Sequence, residues 1–260
     1  MLRARFIPVL LLNHGALVKT VRFRNPAYIG DPVNTVRIFD ELEADELCFL
    51  DIRATVEGRA PDYALLQQLS DEAFCPVAYG GGINSVEIAE KVFALGFEKV
   101  VVNTAAHRRP EFLTELAQRY GSQAIVASID VQRGLLGPRI RVNGRMVKED
   151  AAGIVRRFEA AGAGEILLTD ADREGTWQGY NIALVRQISD SVRIPVVAHG
   201  GAGSVEDVEA VISSGRASAA AAGSMVVFQK QGMGVLVNLP DRARLERILS
   251  GMPSHHQIPS

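Results

Sequence analysis

Two copies of one short motif occur in the sequence, and their separation limits the folds that the chain can adopt. PVAYGGGINS occupies 76–85 and PVVAHGGAGS occupies 195–204, which places the two prolines 119 positions apart. Glu46 of ELCFLD and Glu165 of EILLTD have the same separation. The repeating unit is therefore about half of the 260-residue chain, whereas solenoid repeats are only roughly 20 to 50 residues long.

Each half alternates short apolar runs with amphipathic segments, the pattern of strands followed by helices. Right-handed crossovers between eight parallel strands close a barrel, so we predict an α/β fold, a single (β/α)8 TIM barrel over 1–250 with half-barrels at about 1–122 and 123–250. An open doubly wound sheet is the alternative, which the near-equal halves disfavour because sheet edges would break their equivalence. A polar tail, 251–260, is predicted to be flexible. The predicted strands are 5–12, 46–51, 76–79, 99–103, 124–130, 165–169, 195–198 and 217–222, and the predicted helices are 31–44, 61–69, 86–95, 110–120, 150–161, 180–189, 205–214 and 241–249.

The composition argues against several classes of function. With a net charge of −2 and no basic run interleaved with aromatic residues, the chain is not expected to bind nucleic acid. No apolar run approaches the roughly 18 to 20 residues of a membrane span, so we expect a cytoplasmic protein without membrane partners. The five histidines lack ligand spacing, and neither a metal nor another cofactor is expected. Cys48 and Cys75 are interpreted as small buried hydrophobic residues.

Each copy of the motif places a glycine-rich turn between a predicted strand and a serine that begins a helix. Bare N–H groups in such a turn bind anions, and a side chain would block the approach. These sites would face each other across the barrel mouth and hold a ligand with a phosphate at each end. The alternative is that the glycines only form tight turns. The two predicted phosphate sites consist of Gly82, Asn103 and Thr104 in the first half and of Gly201, Gly223 and Ser224 in the second.

Candidates for proton transfer lie at the predicted C-terminal ends of the strands, where such barrels place their chemistry. Asp130 ends the fifth strand, and the position 119 residues before it is Leu11. A leucine cannot exchange a proton, so Asp130 has no facing carboxylate for paired acid–base chemistry. His14, in the first loop, is one candidate for the missing proton carrier. The same mouth would receive other charged or polar residues, each of them equally consistent with a solvated loop: Asp51, Asp170, Lys19, Glu174 and His199.

Four charged residues mark the opposite end of the predicted barrel. Arg5, Glu46, Lys99 and Glu165 lie at or near the starts of strands. Buried charges persist only when they are paired, so the four side chains are predicted to form either a structural ion-pair plug or a gate into the barrel. The sequence contains neither G-x-C-x-G nor G-x-S-x-G, which leaves no local nucleophile elbow. If glutamine is the nitrogen source, another chain must hydrolyse it.

Over about residues 1 to 228, the chain resembles the cyclase subunit of imidazole glycerol phosphate synthase. The motifs that carry the resemblance are GDPV, FLDI, GGGI, VNTAA, GSQAIV, SIDV, GAGEILLTDADREGT and HGGAGS. The resemblance implies a half-barrel repeat with two phosphate sites that accepts ammonia from a glutaminase subunit docked at the bottom of the barrel. Matching positions imply an ammonia gate of Arg5, Glu46, Lys99 and Glu165, phosphate binding by Gly82, Asn103, Thr104, Gly175, Gly201, Gly223 and Ser224, and a mouth that contains Lys19, Asp51, Asp130 and Thr169.

Two positions depart from the family pattern. Leu11, in PVLLLNHG, stands where the cyclase has a catalytic aspartate in a Pro-Cys-Leu-Asp pattern, and Glu174 stands where it has an acidic helper aspartate. Loss of a proton-transfer group typically costs about 10² to 10⁴ in rate. The leucine-rich first strand, together with AAGSMVVF at the eighth, looks instead like a divergent cyclase-like branch found with surface-polysaccharide enzymes. The predicted catalytic set is Asp130, Lys19, Asp51, Thr169 and Glu174.

Three functions remain open at this point. The first is an ammonia-dependent barrel that works with a glutaminase and a sugar amidotransferase to convert an acetamido group on a nucleotide-linked sugar into an acetamidino group. The second is imidazole glycerol phosphate cyclase activity in histidine biosynthesis, with another group standing in for Leu11. The third is a non-catalytic conduit that activates the glutaminase and delivers ammonia to a third protein. A sugar-phosphate isomerase of the sister histidine-pathway family fits less well, since it too needs an acid at position 11.

Overall fold

The computed structural model describes residues 3–134, 137–147 and 149–250. The predicted flexible tail, 251–260, lies outside the described residues. The strands are β1 (Arg5–Asn13), β2 (Ala16–Val21), β3 (Arg24–Gly30), β4 (Leu47–Asp51), β5 (Val77–Gly80), β6 (Lys99–Val102), β7 (Ile125–Gly134), β8 (Gly137–Val142), β9 (Arg145–Val147), β10 (Glu165–Asp170), β11 (Val196–His199) and β12 (Ala219–Ala222). The helices are α1 (Pro32–Glu41), α2 (Ala54–Glu57), α3 (Tyr63–Glu72), α4 (Val86–Ala94), α5 (Thr104–Arg108), α6 (Glu111–Tyr120), α7 (Ala151–Ala160), α8 (Ile182–Ser189), α9 (Val205–Ser213), α10 (Ser224–Val227) and α11 (Arg242–Leu249).

Eight parallel strands close into a barrel. β1 pairs with β4, and parallel pairing continues through β5, β6, β7, β10 and β11 to β12. β12 then pairs with β1, so the barrel strands leave no open edge. The predicted (β/α)8 barrel is therefore confirmed, and the alternative of an open doubly wound sheet is wrong.

The helix N-termini repeat with the same 119-residue separation as the sequence motif. Asp31 caps α1 and Asp150 caps α7, while Ser85 caps α4 and Ser204 caps α9. Each of these side chains accepts a hydrogen bond from a backbone N–H in the first turn, a donor that a helix end otherwise leaves without a partner. The duplication is thus present in the local interactions that start the helices.

Two β-hairpins at the barrel rim are absent from the sequence-based prediction, and both lie at the start of a half. β1 turns through His14 and Gly15 into β2, which pairs with β3, and β7 pairs antiparallel with β8, which pairs with β9. Asn143 and Gly144 form the turn between β8 and β9 with positive φ, a strong hairpin signal. β3 and β9 are mostly exposed, so they lack the apolar runs on which the strand predictions depend.

Two hydrophobic cores organise the barrel. The larger core lies between strands and helices and includes Phe39, Phe112 and Phe158 from three helices. The smaller core is formed mainly by side chains that point from the strands toward the barrel axis. The middle of the axis is therefore apolar. The residues of this smaller core are Ile7, Val9, Leu11, Val18, Cys48, Ala78, Val101, Val126, Leu167, Val197, Ala219 and Ala221. Functional polar groups can therefore gather only at its two ends.

Candidate functional site

A cavity of about 740 Å³ lies at the C-terminal ends of the barrel strands. Its wall brings together side chains that the sequence analysis places at the mouth. The predicted residues that line it are Asp51, Gly82, Asn103, Thr104, Asp130, Thr169 and Glu174, and Leu11 and His199 line it too. A concave, largely preformed site with converging polar groups is the usual form of a small-molecule site.

Asp130 is the most perturbed acid in this cavity. Asn103 donates its Nδ2 hydrogen to Oδ2 of Asp130 at 3.0 Å. Removal of the carboxyl group from bulk water raises its pKa to about 6, although Asn103, the charge of Arg141 and a hydrogen bond with Thr169 act in the opposite direction. A carboxyl group with a pKa near neutrality can both give and take a proton under working conditions. Asp130 is therefore chemically suited to general acid–base work.

Asp51 has a different environment, because its carboxylate already has several partners. Oδ1 accepts hydrogen bonds from the backbone N–H groups of Arg53 and Ala54, and Arg59 binds both carboxylate oxygens at 2.8 and 2.7 Å. Asp170, its counterpart 119 residues later, accepts in the same way from the N–H groups of Asp172 and Arg173. This geometry suits Asp51 to holding the loop after β4, and Arg59 is a partner that the sequence analysis does not single out.

Lys19 and Glu174 join the first hairpin to the loop that follows β10. Nζ of Lys19 lies 3.9 Å from Oε1 of Glu174, and both side chains are buried. Glu174 also accepts hydrogen bonds from the Thr20 hydroxyl at 2.9 Å and from the Phe23 N–H at 3.0 Å. Burial lowers the pKa of Lys19, and the charge of Glu174 opposes that shift. The pair fixes the hairpin over the mouth.

The predicted phosphate-binding glycines pack closely against backbone. Gly82 donates its N–H to Oγ1 of Thr55 at 3.1 Å, and its φ is 71°. Gly201, 119 residues later, has a φ of 106°, and a Cβ there would lie 2.1 Å from the Gly179 carbonyl oxygen. Both positions therefore require glycine for the turn itself, which the sequence analysis gives as the alternative to anion binding. Phosphate binding at either turn stays a prediction.

The residues predicted for the second phosphate site lie partly in another cavity. Lys19, Gly175 and Ser224 line a space of about 560 Å³ beside the first hairpin. Gly223 lies directly beside the Lys19 ammonium group, since a Cβ there would be 2.1 Å from Nζ. Gly223 (φ −109°, ψ −80°) also has nearly the same backbone angles as Asn103 (φ −110°, ψ −85°), its counterpart in the first half. The second candidate site thus has the Lys19 ammonium group directly beside its glycine, whereas the cavity that contains the first is lined by Arg53, Arg108 and Arg109.

Four charged side chains close the opposite end of the axis. Arg5 donates to both Glu46 and Glu165. Nζ of Lys99 donates to Oε1 of Glu46 at 2.7 Å and to Oε2 of Glu165 at 3.1 Å. Each acid therefore contacts both cations, and both glutamates are buried. We call these four residues the ion-pair ring; its geometry fits both a plug and a gate.

Arg141 reaches the mouth, whereas His14, the candidate proton carrier of the first loop, does not. Arg141 is the register partner of Asp130 on β8, and its guanidinium lies 5.7 Å from the centre of the Phe23 ring. Because it comes from an unpredicted hairpin, only the Asn143–Gly144 turn could have indicated its position. His14 is exposed, contacts Glu57 at 3.2 Å, and does not line the main cavity.

Across residues 3–134, 137–147 and 149–250, no group of three or more His, Cys, Asp or Glu side chains could hold a metal ion. Within the same described part of the chain, no helix is both long and apolar enough to cross a membrane. The fold and the cavity together define a (β/α)8-barrel protein with a small-molecule site at the C-terminal ends of its strands.

Comparison with known proteins identifies the family. The model of the histidine biosynthesis protein family matches residues 5–231. Similar proteins come from Pseudomonas aeruginosa (44% identical over 249 residues, 95% of this chain and 99% of the relative), Vibrio vulnificus (41% over 253 residues, 96% and 97%) and Leptospira interrogans (40% over 252 residues, 95% and 99%). Their names begin "Putative imidazole glycerol phosphate synthase subunit" and end in hisF2, hisF3 and HisF. The chain belongs to the histidine biosynthesis protein family, as a cyclase-like member of the HisF type.

Proposed function

We propose that this chain is the cyclase subunit of an imidazole glycerol phosphate synthase and uses ammonia that a glutaminase subunit supplies. The observation that carries the proposal is the arrangement along one axis: Asp130, with a pKa of about 6, lies at the mouth, and the ion-pair ring lies at the other end. The names of the relatives support the same reading. Of the sequence-based alternatives, this one has the better support.

The apolar axis favours the passage of ammonia over that of ammonium. Side chains such as Cys48, Val101 and Leu167 separate the ring from the mouth. A charged ammonium ion would lose its hydration there without a partner, at a cost that neutral ammonia does not incur. The glutaminase is accordingly proposed to dock at the N-terminal face, next to the ion-pair ring, with the ring as its gate.

A direct test measures imidazole glycerol phosphate formation by the purified chain with an ammonium salt as the nitrogen source. Asp130→Asn is expected to reduce the rate by about 10² to 10⁴, whereas the exposed-surface variant Arg37→Met serves as a matched control. Growth of a histidine auxotroph lacking its own cyclase provides a second measurement. A chain that neither forms the product nor supports growth would refute the proposal.

A soaked anion tests the ligand part of the proposal. With sulfate or phosphate, two bound anions are expected, one near Gly82 and one near Gly201, as a substrate with two phosphate groups requires. A single anion, or none, would contradict that substrate class.

Leu11 supports a second candidate function. It is buried in the apolar core of the axis, where paired acid–base chemistry would need a second carboxylate. A barrel that works with a glutaminase and a sugar amidotransferase, and forms the acetamidino group of a nucleotide-linked sugar, is consistent with that loss. Gene deletion followed by mass analysis of the surface glycan tests it, because an unchanged acetamidino content would exclude the role. A non-catalytic ammonia conduit differs from both in that it should tolerate Asp130→Asn.

A further inference from the structure

Three polar side chains form a row across neighbouring strands in the second half of the barrel. Asp130, Thr169 and His199 are register partners on β7, β10 and β11, and all three line the main cavity. Oγ1 of Thr169 lies 3.2 Å from Nδ1 of His199, and on the other side Thr169 neighbours Asp130, whose pKa its side chain lowers. The Thr169 hydroxyl group therefore lies between the carboxyl group and the imidazole ring.

The equivalent row in the first half contains no group that can exchange a proton. The positions 119 residues earlier are Leu11, Leu50 and Gly80. These three are register partners on β1, β4 and β5, and they line the same cavity. At this level of the mouth, the proton-exchanging groups are thus confined to the second half.

His199 has one ring nitrogen left to meet a ligand. Nδ1 contacts Thr169, while Nε2 makes no hydrogen bond to any residue that the structure describes. Burial, with a smaller contribution from the charge of Lys19, lowers the pKa of His199 to about 3, so the ring is neutral at physiological pH. A neutral imidazole can still transfer a proton, because one nitrogen can release a hydrogen while the other accepts one.

We infer, on the basis of the cyclase function proposed above, that Asp130, Thr169 and His199 form a proton relay whose ligand-facing end is Nε2 of His199, and that His199 replaces the proton carrier that Leu11 cannot provide. In the acid direction, Nε2 gives its hydrogen to the substrate and Nδ1 takes the Thr169 hydroxyl hydrogen. Oγ1 of Thr169 takes the Asp130 carboxyl hydrogen. Asp130 ends as a carboxylate, the ring remains neutral in its other tautomer, and the reverse sequence carries a proton away from the substrate.

The relay makes the tautomer of His199 depend on the ionisation of Asp130. When Asp130 is protonated, Thr169 donates to Nδ1 and the ring hydrogen is on Nε2. When Asp130 is ionised, it accepts the Thr169 hydroxyl hydrogen, and Oγ1 then accepts from Nδ1–H. The charged groups closest to this row are Lys19 from β2 and Arg141 from β8, and the other charged residues of the cavity wall are Asp51, Arg53, Arg108, Arg109 and Glu174.

Nitrogen NMR of the full-length chain, labelled at the histidine rings, tests the relay without a substrate. His199→Asn assigns the signal. The His199 ring is expected to stay neutral from about pH 5 to 8 and to exchange tautomers with a midpoint near the pKa of Asp130, about 6. Thr169→Val should abolish that midpoint, and Thr169→Ser, which restores the hydroxyl, should retain it. A tautomer that does not change with pH, or a ring that becomes charged near its ordinary pKa, would overturn the inference.

Turnover with an ammonium salt provides the second test. His199→Asn is expected to lower the rate of product formation at least 100-fold and to alter its pH profile. His14→Asn is the matched control, since His14 is exposed, does not line the cavity, and has a φ of 49° that asparagine tolerates. If the wild-type chain forms no product, the proposed function fails while the NMR experiment still decides the relay. If the wild type is active and His199→Asn is equally active, His199 is not the proton carrier.

Discussion

Replacement of Arg5 by methionine tests whether the ion-pair ring is a buried network. Arg5 contacts both Glu46 and Glu165, so Arg5→Met leaves Lys99 as the only cation of the ring opposite two buried acids. Breaking a buried ion pair by removing one partner costs about 3 to 5 kcal/mol. The Arg5 side chain is 29% exposed, so the lower end, about 3 kcal/mol, is the expected loss in free energy of unfolding.

Thermal denaturation followed by circular dichroism measures this loss. In a domain of this size, each kcal/mol shifts Tm by about 2 to 4 °C, so Arg5→Met should melt about 6 to 12 °C below the wild type. Arg37→Met is the matched control, because Arg37 also pairs with a glutamate, Glu72, but its side chain is 55% exposed. That exposed pair should contribute less than about 1 kcal/mol.

A second variant separates charge from packing. Arg5→Met combined with Glu165→Gln leaves one cation, Lys99, and one acid, Glu46, which remain 2.7 Å apart. Because the ring is again neutral, the double variant should recover part of the lost stability. If Arg5→Met costs no more than Arg37→Met, or if the double variant is no more stable than Arg5→Met, the ring is not a coupled buried network.

Four further predictions follow from the two cavities. Asp130 keeps its proton up to about pH 6 in the folded chain but only to about pH 4 in the unfolded chain. In urea titrations, the free energy of unfolding of the wild type should therefore fall by up to about 3 kcal/mol relative to Asp130→Asn as pH rises from about 4 to 6. The pKa of His199 is instead lowered to about 3, so relative to His199→Asn the wild type should lose stability as pH falls below about 6.5. Stability curves of wild type and variant that run parallel would contradict both assignments. Gly175 and Gly15 have similar positive φ angles, but only at Gly175 would a Cβ clash, 2.3 Å from the Thr20 carbonyl oxygen. Gly175→Ala should therefore melt well below Gly15→Ala, and equal melting temperatures would count against this packing. Leu11→Asp should partly restore ammonium-dependent turnover to His199→Asn, because it returns a proton carrier to the first half; no recovery in a folded double variant would weigh against the relay.

The barrel itself could be predicted from the sequence because its signals are periodic and local. The 119-residue repeat, the apolar runs and the capping residues Asp31, Ser85, Asp150 and Ser204 all agree with one another, and agreement across levels specifies a fold. The helix ends are less well defined; the first helix, for example, was expected to reach Ala44 and stops at Glu41. Fraying and weak terminal signals account for such differences.

The composition of the mouth was harder to predict than its position. The ends of the barrel strands indicate where Asp130 and Thr169 lie, but they do not indicate what neighbours them. Arg59 and Arg141 approach Asp51 and Asp130 from segments without an apolar pattern, and the repeat specifies neither pairing. Hydrogen bonding between side chains of separate strands depends on register, which a single sequence specifies only through its buried faces.

The comparison of the two rows explains how a duplicated barrel can lose an acid and still be suited to proton transfer. A duplication begins with equivalent halves, yet here the first-half row is Leu11, Leu50 and Gly80, whereas the second-half row is Asp130, Thr169 and His199. Two acids facing each other would each raise the other's pKa. A row within one half avoids that repulsion, because a neutral ring and a hydroxyl group share the proton of a single carboxyl group. Proton transfer at this mouth then needs no carboxylate at position 11, because the second-half row carries it.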